Sequence, residues 1–235
     1  MTRPEEHQER EYDRPYHHYV PDTGEGIPYN SLLRNLKSLI KPQRNARILD
    51  AGCGDGRLIR ELRGSGALLF GVDRSAQALR FAAAFSPGAI LSMQDLGALA
   101  FKDESFSTIA MIETLEHINP SAVPGVIDEV RRILITGGRL ICTVPTHLHP
   151  RPPKHYRHFS FTELGSLLEE YFNVDSITGH DRDLLWYRWL VAAGDNPVWQ
   201  LRAGYNKLMR FLYRRYLESC SPDRARRLIA VCRKK

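Results

Sequence analysis

The stretch ILDAGCGDG, Ile48 to Gly56, constrains the fold more than any other part of this chain. An apolar run feeds straight into Gly52, Gly54 and Gly56, and a helical pattern follows. Glycines at this spacing let backbone N–H groups approach a ligand closely and aim a helix N-terminus at it. Asp73 ends the next apolar run, 21 residues after Gly52, where a carboxylate can accept both hydroxyls of a ribose. Together these features predict a βαβ unit built around a nucleoside-containing cofactor.

The rest of the chain continues the alternation. Leu32, Leu33, Leu36, Leu39 and Ile40 repeat at helical spacing over Pro28–Ile40. Strands are expected at 46–50, 67–73, 89–93, 108–112 and 139–144, and helices at 56–62, 76–84 and 123–134, the last ending at Gly137-Gly138. A Ser-x-x-Glu pair, Ser160 and Glu163, marks a further helix start. Strands at 172–178 and 228–232 close the pattern. The expected fold is α/β: a doubly wound, mostly parallel Rossmann-like sheet with helices on both faces and a helical insertion before the last strand. Four segments follow: a cap segment and helix (1–43), a cofactor-binding core (44–180), a basic helical insertion (181–222) and a returning C-terminal strand (223–235).

Two cofactors compete for the loop. A nicotinamide dinucleotide is bound by G-x-G-x-x-G, whereas this chain has G-x-G-x-G preceded by an acid, Asp50. With Asp50 included, the element resembles the D-x-G-x-G-x-G of the class I S-adenosylmethionine-dependent methyltransferases. The resemblance runs from about Arg44 to Leu168 and returns weakly at the C-terminal strand. It implies that Asp50, Gly52, Gly54 and Gly56 meet the methionine moiety, that Asp73 binds the ribose, and that Asp95 and the Leu96 backbone border the adenine. Cys53 (a small space-filler in the loop), Arg74 and Ile112 complete the expected cofactor contacts. Physically the fit is good: the cofactor has an amino group and a sulfonium but no pyrophosphate needing a cradle. Two positions depart from the family pattern, Ser107 where Asp is frequent and Thr136 where Pro is frequent, both peripheral.

Methyl transfer to oxygen requires removal of a proton, because hydroxyls are poor nucleophiles at neutral pH. MIETLEHI, Met111 to Ile118, follows the fourth strand and places Glu113, Glu116 and His117 at offsets 0, 3 and 4. On a helix these share one face, which either holds a divalent metal or walls the cleft. The element is similar to the metal-binding Glu-x-x-Glu-His of the ubiquinone-pathway O-methyltransferases and the small-RNA 2′-O-methyltransferases. By that similarity His158, in RHFSFTEL, is the fourth ligand, and the metal is Mg²⁺ or Mn²⁺. Without metal, His158, His117 and His149 are the expected catalytic groups, with His147 and His155 as alternative bases from the same Pro- and His-dense loop. The aromatic N-terminal region, Tyr12 to Tyr29, is expected to cover the acceptor pocket.

Charge is unevenly spread. Residues 181–235 hold 13 of the 33 Lys and Arg but 5 of the 27 Asp and Glu. Within them Val198–Leu217 has Leu201, Tyr205, Leu208, Leu212 and Tyr216 at helical spacing among Arg202, Lys207, Arg210, Arg214 and Arg215, with Trp186, Tyr187 and Trp189 upstream. The 184–217 segment reads as a surface for an anionic membrane, or as a lid or homodimer helix. Nucleic acid is disfavoured, because the aromatics follow the apolar stripe rather than interleaving with the basic residues. The charged N-terminus MTRPEEHQEREYDRP, the absence of an apolar run of roughly 18 residues, and four cysteines without paired spacing lead us to expect a cytoplasmic protein, at most surface-associated with membrane. The expected reaction is O-methylation of a small or lipid-linked acceptor; the rival is a non-catalytic cofactor-binding or membrane-recruitment module.

Overall fold

Apolar residues on consecutive positions of the central strands demand cover on both faces of the sheet. The computed structural model, which describes residues 12–24, 26–194 and 203–235, supplies it. Strands β1 (Arg47–Ala51), β2 (Leu68–Asp73), β3 (Ile90–Met93), β4 (Phe106–Ile112), β5 (Leu134–Pro145), β6 (Phe172–Arg182), β7 (Ser219–Cys220) and β8 (Ala225–Lys234) form one sheet in the order β3-β2-β1-β4-β5-β8-β6-β7. The first five are parallel, and β8 inserts antiparallel between β5 and β6.

Successive side chains of a strand point to opposite faces, so each strand is shared between two cores. Leu49, Ile109, Leu140, Cys142 and Leu228 pack under helices α4 (Val123–Ile133) and α5 (Phe161–Tyr171). Their neighbours Ile48, Ala110, Ile141 and Ile229 pack against α1 (Gly26–Ile40) and α2 (Arg57–Leu62). Helix α3 (Ala76–Phe85) follows β2. Helix α5 starts with the anticipated capping box: Ser160 Oγ accepts from the Glu163 N–H at 3.2 Å and Glu163 Oε2 accepts from the Ser160 N–H at 2.6 Å. Ser160→Ala is expected to cost about 1 kcal/mol, read as a lower midpoint in chemical denaturation.

Three expectations are corrected. MIETLEHI is not a helix: β4 runs to Ile112, Glu113 takes a left-handed turn at φ 51°, and a short 3-10 turn covers Leu115–His117. The Glu113 N–H donates to the Thr143 carbonyl and hydroxyl of β5, which holds the turn and leaves Glu113 off the face that carries Glu116 and His117. Gly137 and Gly138 do not end α4, which stops at Ile133; they form a bulge in β5, where Leu134 and Arg139 face Phe106 and Thr108. In the insertion, α6 (Leu185–Gly194) and α7 (Ala203–Tyr216) pack on α1 through Tyr187, Met209, Tyr213 and Leu217. Tyr205 and Leu212 of the expected stripe pack against this cluster, whereas Leu208 and Tyr216 are exposed and Met209, Tyr213 and Leu217 take the buried positions. The beginning of the stripe, Val198 to Arg202, and residues 1–11 of the N-terminal reading lie outside the described residues.

Candidate active site

The loop between β1 and α2 takes the conformation its glycines permit. Gly52, Gly54 and Gly56 have φ of 83°, 51° and 80°. Space is as limiting as backbone angle: a Cβ on Gly52 would lie 2.6 Å from Thr114 Cγ2 and one on Gly56 2.8 Å from Ala82 Cβ. Asp73 closes the turn, its Oδ2 accepting from the Gly54 N–H at 2.8 Å and its Oδ1 from the Ser75 N–H at 2.9 Å. Asp50 is buried beside it. Burial, and then the Asp73 and Asp55 carboxylates, push its carboxyl up to about 8. A buried acid of this kind is relieved by a cation. The amino group and sulfonium of S-adenosylmethionine suit this end, and the glycine cradle suits its close approach, so the residues present fit that cofactor.

Asp50, Gly52, Cys53, Gly54, Asp73 and Ile112 line a single cavity of about 850 Å³, within the usual size of small-molecule sites. Gly56 supports the loop from behind, against Ala82. Arg74, Asp95 and Leu96 do not line this cavity; Asp95 is exposed and caps the Gly97 N–H at 2.7 Å.

The N-terminal segment covers the glycine loop. Tyr12 OH lies where a Gly54 Cβ would come within 2.8 Å. The buried Asp55 of the loop accepts from the His17 backbone N–H (3.2 Å) and Nδ1 (3.1 Å), and its carbonyl lies 2.7 Å from His18 Nε2. The His18 ring stacks on Phe85 at 3.9 Å. Sequence reasoning missed Asp55, His17 and His18; the available signal was an acid inside a glycine loop that has no use for a second carboxylate.

At the other end of the cavity lie the β4 exit, the loop after β5 and Arg227 of β8. Glu113 is committed to structure: its Oε2 accepts from Arg227 Nε at 3.1 Å and its Oε1 from Thr143 Oγ1 at 3.1 Å. Arg227 also pairs with Asp181 at 3.3 Å. Glu116 is different. It is fully buried, and neither carboxyl oxygen has a hydrogen-bond partner among the described residues. Burial, reinforced by Glu113, holds its carboxyl well above the usual range. His117 bonds the Lys154 backbone with one ring nitrogen, and its buried Nδ1 has no partner among the described residues; burial lowers the ring to about 4.

The residue that completes this cluster is His155. Among the described residues, Glu116, His117 and His155 are the group whose ligand atoms all lie within 4.8 Å of one another. His158 stands one step behind. Its Nδ1 is 2.9 Å from the Thr146 carbonyl and its Nε2 is 2.8 Å from His155 Nδ1. A carbonyl only accepts, so His158 carries its proton on Nδ1, its Nε2 accepts from His155 Nδ1–H, and His155 Nε2 keeps a lone pair. Burial, and then His117, lower His155 to about 3, which agrees with a neutral ring. Of the four expected metal ligands, the structure thus brings Glu116 and His117 together, diverts Glu113 to Arg227, and places His158 as support for His155. His149 lines the cavity with Nδ1 3.0 Å from the Pro150 carbonyl, whereas His147 is exposed and faces Glu163 at the start of α5.

Comparison with known proteins points to methyltransferases. A family model described as a methyltransferase domain matches residues 49–142. A ubiquinone biosynthesis O-methyltransferase of Xylella fastidiosa is 33% identical over 107 residues, 42% of this chain and 42% of that protein. The match thus spans less than half the length of that relative. Among solved structures, a TehB-like S-adenosylmethionine-dependent methyltransferase from Corynebacterium glutamicum has a TM-score of 0.60 at 18% identity, covering 87% of this chain and 88% of that one. An S-adenosylmethionine-dependent methyltransferase from Methanosarcina mazei has a TM-score of 0.57 at 22% identity, covering 82% and 93%. At these identities the structural likeness speaks for the fold.

Proposed function

We propose that this chain, whose core belongs to the class I S-adenosylmethionine-dependent methyltransferases, methylates a hydroxyl oxygen of a small or lipid-linked acceptor. When bound, S-adenosylmethionine supplies an electrophilic methyl group on a sulfonium that is already a good leaving group. Asp73 and the Gly52–Gly56 loop orient it, with Asp50 toward its cationic end. The acceptor oxygen would enter from the Glu116 side; the cofactor would supply the methyl group, its S–C bond breaking as the C–O bond forms, and the hydroxyl proton would pass to solvent when a cation occupies the Glu116–His117–His155 cluster, or to His155 Nε2 when none does.

The observation that carries this reading is the cluster itself. A fully buried carboxyl whose two oxygens have no partner among the described residues, beside an imidazole nitrogen in the same position, is costly unless a ligand completes it. Glu116, His117 Nδ1 and His155 Nε2 would hold a divalent cation, with His158 and the Thr146 carbonyl fixing the His155 tautomer as an outer shell. A cation there would supply Lewis acidity, lowering the pKa of a nearby hydroxyl. The name of the Xylella relative supports oxygen as the atom methylated.

The test is turnover. Protein incubated with S-adenosylmethionine and a panel of phenols, catechols and polyprenyl quinols should release S-adenosylhomocysteine together with an O-methyl product seen by mass spectrometry. Methylation confined to a parallel amine panel would overturn the oxygen assignment. Tight S-adenosylhomocysteine binding without turnover on any acceptor would favour the cofactor-binding module.

A further inference from the structure

Helices α6 and α7 carry two apolar faces, and among the described residues only one is covered. Tyr187, Met209, Tyr213 and Leu217 turn inward onto Ile27 of α1. The opposite side leaves Trp189 75%, Leu185 69%, Phe211 61% and Leu208 52% exposed, with Trp186 and Tyr216 in ring contact at 6.1 Å between them. Large apolar side chains gathered on one surface mark an interaction site. A lid helix that merely packs on the domain accounts for the inward set and not for these.

Charge identifies the partner. The two helices contain Arg188, Lys207, Arg210, Arg214 and Arg215 and no acidic residue. Arg188, Lys207, Arg214 and Arg215 are exposed, while Arg210 turns back to Asp22. Among the described acids beside them, Asp183 is shared between Arg226 at 2.8 Å and Arg188 at 4.0 Å, and Glu218 accepts from Ser31. Tryptophans with short aliphatic neighbours, flanked by exposed cations, match the boundary between acyl chains and anionic headgroups. Among the described residues no helix is long and apolar enough to cross a membrane, so attachment would be at the surface. We infer that the outward face of α6 and α7 docks the protein on an anionic lipid bilayer.

Docking there would place the cavity at the lipid. Asp22 takes Arg210 through its carbonyl at 3.2 Å and its carboxylate at 3.7 Å, and Gly24, two residues on, sits beside Val191 of α6 and lines the cavity wall. The inference does not depend on the reaction, and its test reads binding alone.

The full chain is sedimented with phosphatidylcholine vesicles with and without phosphatidylglycerol. Binding is expected only when phosphatidylglycerol is present, and salt should weaken it. Arg214→Glu with Arg215→Glu should weaken it more than about tenfold, and Trp189→Glu with Phe211→Glu should abolish it. Ile90→Glu, on the far edge of the sheet, should leave it unchanged, with circular dichroism confirming that each variant folds. Equal binding to neutral vesicles, or no binding to either, overturns the inference. Absence of binding together with a dimer that Trp189→Glu dissociates overturns it in favour of a second copy on this face.

Discussion

Gly52→Val is expected to weaken S-adenosylhomocysteine binding at least about a hundredfold, equivalent to ~2.7 kcal/mol. Two costs combine at this position. The backbone sits at φ 83°, where a β-branched side chain is strained by about 1–2 kcal/mol. Any Cβ would also meet Thr114 Cγ2 at 2.6 Å and Oγ1 at 2.7 Å. Thr114 has little room to retreat: it is buried, and its hydroxyl donates to the Ala51 or Ile112 carbonyl at 3.2 Å. The backbone must move, and the Gly54 N–H bonded to Asp73 moves with it. Gly64→Ala is the matched control, with the same sign of φ at 77° but nothing within 4 Å of the added Cβ. It should lose about 1 kcal/mol of stability and bind normally in calorimetric titration. Affinity of Gly52→Val within threefold of the parent would remove the loop from the cofactor site.

This site was legible in the sequence because its chemistry is local. Positive φ at Gly52, Gly54 and Gly56 is written into residue type, and Asp73 follows at the end of an adjacent apolar strand. The capping box at Ser160 and Glu163 was legible for the same reason, since both bonds join residues three apart. The acceptor end was legible in residue types but not in pairing. Glu113 left the expected face because Thr143, 30 positions away, holds its backbone and Arg227, 114 positions away, takes its carboxylate. No local pattern predicts either contact. His155 displaced His158 from the cluster because the Thr146 carbonyl claims His158 Nδ1, and Thr146 is itself fixed by its bond to the Ala225 carbonyl of β8. The insertion was legible in part: Tyr205 and Leu212 of the expected stripe pack inward, but apolar residues on both faces of α7 permit a neighbouring stripe, and packing against Ile27 buries Met209, Tyr213 and Leu217 in place of Leu208 and Tyr216. The clamp of His17 and His18 on Asp55 spans 38 and 37 residues and lies beyond any periodicity argument.

Metal-stripped protein is expected to take up Mn²⁺ in a saturable titration, and to take up Mg²⁺ more weakly. Two imidazoles and one carboxylate form a nitrogen-rich set, which favours a first-row transition ion over a cation that prefers oxygen. Glu116→Gln and His117→Ala should each abolish uptake and lower kcat at least about a hundredfold. The two residues that sequence similarity alone would have named as ligands should behave differently. Glu113→Gln should retain uptake yet destabilise the fold by about 3 kcal/mol, because it weakens the counter-charge of the largely buried Arg227 and leaves Asp181 as its ion-pair partner. His158→Ala should weaken uptake about tenfold without abolishing it, because it frees the His155 ring from its fixed tautomer but removes no ligand. A pattern in which Glu113→Gln abolishes uptake while His155→Ala does not would return the site to the arrangement expected from sequence. No uptake in the parent, with turnover unchanged by a chelator, would exclude the cation and leave His155 Nε2 as the group positioned to accept the hydroxyl proton.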